Sequence, residues 1–109
     1  MNLKDKYQSL LSFFDGRKYD LDEVAQILDK IVTVIKEKGG FHQAGCAWAI
    51  AMLYKHGKCN PIQIEDTIDE FNEYCKDYDN YMNSLVIGDK TEAPLTFYNG
   101  FIDKKIKGV

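Results

Sequence analysis

The chain has 109 residues, 45% hydrophobic, 13% aromatic and 28% charged with two prolines, a composition that excludes disordered, collagen-like and disulfide-framed proteins. A chain of this length buries roughly two-thirds of the surface its unfolded form exposes, so a single helical domain with its own core is expected over 1–109. A formal charge of −3, a pI near 5.3 and a sole arginine, Arg17, argue against a protein that coats nucleic acid.

Leu3, Tyr7, Leu10 and Phe14 step by four, three and four, which predicts a helix over 2–14 stopped by Asp15-Gly16. Asp20 with Glu23 three residues on has capping-box form, and Leu21, Val24, Leu28, Ile31 and Ile35 continue it as a helix over 21–37. These two helices most simply form an antiparallel hairpin whose apolar face needs a cover.

That cover is the segment 41–56. It carries no charge before Lys55 and mixes Ala44, Gly45, Ala47, Ala49 and Ala51 with Trp48, Ile50, Met52 and Leu53. A helix apolar all round is normally buried all round, so this one is expected at the centre, with Gly57 as its cap. Its uncharged run falls short of the ~20 apolar residues of a bilayer span, and the polar start of the chain has no signal-like leader. No membrane association is expected.

Asn60-Pro61 is a clear helix start, an N-cap followed by a proline that loses no hydrogen bond. Over 61–85, Ile64, Ile68, Phe71, Cys75, Tyr78, Met82 and Leu85 form a heptad seam, able to pack inside a bundle or to pair with a second copy as a homo-oligomer. In the tail, Leu95, Tyr98, Phe101 or Ile102, and Ile106 have helical spacing over 95–106, while Asn99-Gly100 between β-prone residues carries a hairpin signal. The helix is favoured, because an isolated hairpin is marginal in all-helical surroundings. The fold class expected is all-α: a compact bundle of four main helices, with a central apolar helix and a short C-terminal one.

His42, Cys46, His56 and Cys59 have the residue types of a zinc site. An unbroken helix separates the two pairs by roughly 15 Å, too far to share an ion. His42 and Cys46, one turn apart, also suggest a thiolate nucleophile, but a cysteine in an apolar helix is usually inert packing and no orienting carboxylate is evident. Phosphate loops, the dinucleotide fingerprint, the Gly-x-Ser-x-Gly elbow and the metalloprotease motif are absent. No catalytic residue, metal or cofactor is therefore assigned. Three cysteines at no framework spacing suit reduced thiols in the cytoplasm.

The fourth helix carries the strongest charge signal. Between positions 61 and 83, seven acids minus one base leave −6, whereas the remaining thirteen bases minus ten acids leave +3. Asp66, Asp69, Glu70, Glu73 and Asp77, at steps of three or four, line one side, where like charges cost helix stability without local gain. Paired acids can bind Mg²⁺, and this face resembles that of the all-helical nucleotide pyrophosphohydrolases of the MazG type, whose metal is held by Glu-rich motifs on two neighbouring helices. The second motif has no counterpart here: the second helix offers only Asp22 and Glu23. A helix-turn-helix regulator would place this acidic helix in the major groove, against its charge. The reading preferred is a non-catalytic protein-binding module. The acids would steer toward a partner with a basic surface, without direct nucleic-acid contact, while Tyr74 and Tyr81 supply contact area.

The run Ala47-Trp48-Ala49-Ile50-Ala51-Met52-Leu53-Tyr54-Lys55-His56-Gly57, followed by the amphipathic segment from Ile64 to Tyr74, resembles small uncharacterised helical proteins encoded by phages and prophages. The likeness covers residues 47–74. It implies an inhibitor of a host nucleic-acid-handling or defence protein.

Overall fold

A computed structural model describes residues 2–40, 42–85 and 93–108, and among these every regular element is helical. Two single-turn helices, α1 (Leu3–Lys6) and α2 (Gln8–Leu11), replace the helix expected over 2–14. The break falls at Tyr7, whose φ of −108° and ψ of 24° leave the α region. Its ring is buried there and its hydroxyl donates to Asp29 Oδ1 at 2.7 Å, so a tertiary anchor overrides local continuity.

The following helix, α3 (Leu21–Lys38), begins where Asp20 accepts hydrogen bonds from the backbone N–H groups of Asp22 and Glu23 at 3.0 and 3.4 Å. Its Val24, Leu28, Ile31 and Ile35 are buried in the core, and the helix packs on α4 (Gln43–Lys55). That apolar helix is central as expected, packed between α3, α5 (Ile64–Tyr74) and α7 (Ala93–Lys107). It ends in a Schellman motif: Lys58 N–H donates to the Leu53 carbonyl and Gly57 N–H to that of Tyr54, with Gly57 at φ 72°. The expected first residue, Phe41, lies outside the described residues.

The long helix expected over 61–85 is divided. A 3₁₀ turn at Pro61–Gln63, with a complete Asn60–Gln63 capping box, leads into α5; a second 3₁₀ turn, Cys75–Asp77, separates α5 from α6 (Tyr78–Asn83). Ile64, Ile68, Phe71 and Cys75 are all buried within the protein's own core. That part of the heptad seam packs inside the bundle, α5 lying against α3 and α4 and Phe71 reaching Phe101 of α7. Beyond it, Tyr78 packs on Phe97 and Tyr98.

The tail is helical, and Asn99-Gly100 lies inside α7. Both residues have tertiary duties that a hairpin turn would forfeit. Asn99 Oδ1 accepts from Trp48 Nε1 at 3.0 Å, and Gly100 passes so near Tyr74 that a Cβ there would lie 2.6 Å from its hydroxyl oxygen.

Candidate functional site

The outward side of α5 and the 3₁₀ turn that follows it carry the acids singled out from the sequence, and the packing divides them. Phe71 is fully buried, and it pins α5 against α7 through an edge-to-face contact with Phe101 at 5.2 Å between ring centroids. With that register set, Asp69 faces the end of α3, where it pairs with Lys38 at 2.9 Å. The hydrogen bond from Lys38 to Asp69 holds the ammonium above its ordinary pKa. Asp66 lies exposed on the same α5 helix, close enough to add to the field on Lys38.

Glu70 pairs instead with Lys105 of α7. Glu73 pairs with Lys76 on its own segment at 2.7 Å, and Asp77 makes no ion pair among the described residues. Together Glu70, Glu73 and Asp77 open onto a groove of about 570 Å³ between α5 and the end of α7, completed by Tyr74, Phe101, Lys104, Lys105 and Gly108. Four of the seven expected binding residues therefore meet in one concavity; Asp66, Asp69 and Tyr81 do not line it.

The two tyrosines, both partly exposed, also pack against α7. Tyr74 is half-buried, its ring 4.4 Å from that of Phe97, and its hydroxyl donates to the Phe97 carbonyl at 2.6 Å. Burial pushes its pKa up, with Cys75, Tyr81 and Asp77 adding to the effect. Tyr81 packs on Phe97 at 5.3 Å. Both rings hold α7 in place, and only Tyr74 also lines the groove. Phe101, Lys104 and Lys105, which also line the groove, are not among the residues singled out from the sequence, although the +3 charge outside 61–83 was a signal that the acids had bases to meet.

The arrangement offers no preformed nucleophile at Cys46. That side chain is 1% exposed, and burial pushes its thiol up to about 12, so it stays protonated near neutrality. His42 turns to Tyr98, with Nδ1 2.9 Å from the hydroxyl oxygen. Among the described residues no three His, Cys, Asp or Glu side chains are grouped to hold a metal ion. Asp22, offered by the sequence for a second acidic motif, pairs with Lys4 at 3.4 Å. No helix of the described residues is long and apolar enough to cross a membrane.

A scan against protein-family models, a search of curated proteins and a search of solved structures each gave no significant match.

Proposed function

We propose that this domain is a non-catalytic binding module that takes a Lys- or Arg-bearing segment of a protein partner in the groove between α5 and α7. The observation that carries this reading is the convergence of three exposed carboxylates, Glu70, Glu73 and Asp77, around a cavity with Tyr74 and Phe101 in its wall. Carboxylates accept charge-assisted hydrogen bonds from guanidinium or ammonium groups, and aromatic faces attract the same cations. The surrounding −6 segment adds long-range steering, which raises association rates with basic surfaces.

A partner whose basic cleft handles nucleic acid would be blocked by such a domain, because the carboxylates occupy the place of phosphates. Inhibition of a host protein of that kind by a phage-encoded factor is the biological form of this reading. The three free, buried thiols suit a reducing cytoplasm.

The test is the binding of N-acetylated, fluorescein-labelled octa-arginine, read by anisotropy at low salt. The wild-type domain is expected to bind it saturably and the Glu73→Lys/Asp77→Lys variant to lose binding. The variant Asp5→Lys/Glu37→Lys, which makes the same change in net charge away from the groove, is expected to retain most of it. Equal loss in both variants would reduce the effect to net charge and sink the proposal.

A further inference from the structure

Resting on the groove reading above, we infer that the end of α7 acts as an internal competitor for the site, with Lys105 seated where a partner's cation would bind. Glu70 is the carboxylate it occupies. The Lys105 ammonium also lies over the Phe101 ring, 5.9 Å from its centroid, so both features that recognise a cation in this groove are engaged by the chain itself. Lys104 lines the same cavity. A helix dipole accounts for basic residues in the last turn of α7, but it does not select Glu70 as the counter-ion of Lys105.

The contact is suited to exchange. The Lys105 side chain remains 34% exposed and that of Glu70 50% exposed. Ile102 and Phe101 are buried and hold α7 in place, so Lys105 can leave Glu70 by a rotamer change without moving the helix. A partly exposed ion pair of this kind is worth little, and it therefore tunes affinity and does not close the site. An incoming guanidinium, bidentate on Glu70 and continuing to Glu73 and Asp77, replaces one ammonium with a better matched donor.

The experiment compares octa-arginine binding by wild type, Lys105→Gln and Lys107→Gln in the full chain. Lys107 is exposed and outside the groove lining, so it controls for net charge. Lys105→Gln is expected to bind about two- to fivefold tighter than wild type, the range set by an exposed ion pair, and tighter than Lys107→Gln. A second readout is acetylation of Lys105 by acetic anhydride, followed by mass spectrometry: it rises on addition of octa-arginine while that of Lys107 does not. Equal gains in the two variants, or no change in Lys105 acetylation, would overturn the competitor role. If Glu73→Lys/Asp77→Lys still abolished binding in that case, the groove itself would stand. Binding indifferent to all of these changes would overturn both readings.

Discussion

The ring of Tyr98 occupies the space that a side chain at position 45 would need: a Cβ on Gly45 would lie 2.6 Å from both Cε2 and Cζ of Tyr98. α4 and α7 approach this closely because Gly45 has no Cβ, and the tyrosine hydroxyl is held by His42, one turn earlier on the same helix. A small residue at a crossing thus decides how deep a neighbouring aromatic can sit.

Gly45→Ala forces that ring or the helix to shift. Overpacking costs about 1–3 kcal/mol, more than the ~0.5–1 kcal/mol that alanine gains over glycine in a helix. Urea denaturation should show net destabilisation. If the variant were more stable than wild type, the close contact of Gly45 with Tyr98 would not exist in solution.

Gly100 allows a sharper test, since the obstacle to its Cβ is one atom. The Tyr74 hydroxyl oxygen lies at 2.6 Å and the next atom, Cζ, at 3.8 Å. Gly100→Ala in the wild-type background is expected to destabilise, because forcing that hydroxyl from its place against the Phe97 carbonyl is overpacking that costs about 1–3 kcal/mol, more than alanine gains over glycine in a helix. In the Tyr74→Phe background the obstacle is gone, and the same substitution should stabilise by about 0.5–1 kcal/mol through helix propensity. A thermodynamic cycle on the four proteins checks for this change of sign.

Tyr7 makes stability fall in alkali. Burial, then the hydrogen bond and charge of Asp29, push its phenol from 10.0 up to about 12. The folded state holds this proton more tightly than the unfolded one, so the contribution is complete below pH 10 and is lost as pH rises from 10 toward 12. Thermal melts from about pH 9 to pH 11.5 should show a smaller alkaline decline in Tm for Tyr7→Phe than for wild type. Parallel declines would show that Tyr7 is not the titrating group.

The thiols should be silent in the native protein. Burial pushes Cys46 up to about 12 and Cys75 up to about 11; it also raises Cys59, partly offset by the hydrogen bond between Cys59 Sγ and Thr67 Oγ1. A disulfide reagent at about pH 8 should label native protein only as fast as it opens, whereas all three cysteines react at once in denaturant. Rapid labelling of Cys46 in native buffer would restore the case for a reactive cysteine.

Much of the helical framework is readable because its determinants are local. Asp20 and Asn60 announce their helices through side-chain oxygens that accept from N–H groups two or three residues on. The uncharged run through Ala49 to Leu53 could be satisfied only by burial, and those residues are buried. Where a distant partner intervened, local reading went astray: Tyr7 bends the first helix for Asp29, and the 3₁₀ turn at Cys75–Asp77 interrupts an otherwise regular heptad. The site was half legible. Glu70, Glu73 and Asp77 stand out by charge and spacing, but which of their neighbours share a cavity depends on the helix packed across from them.

By itself, then, the sequence determined that the fold is all-α, where most helices begin and which one is central. Capping, periodicity and burial of an apolar run act over one or two turns of backbone. Only the tertiary structure decided that Asp69 answers Lys38 while Glu70 answers Lys105, that Tyr74 and Tyr81 brace α7, and that Asn99-Gly100 is helix and not hairpin. These depend on the azimuth at which α5 and α7 meet, which is set by the packing of Phe71 with Phe101 and by the missing side chain at Gly100. A rotation of one residue step, about 100° around a helix axis, would carry Asp69 and Glu70 away from these counter-ions.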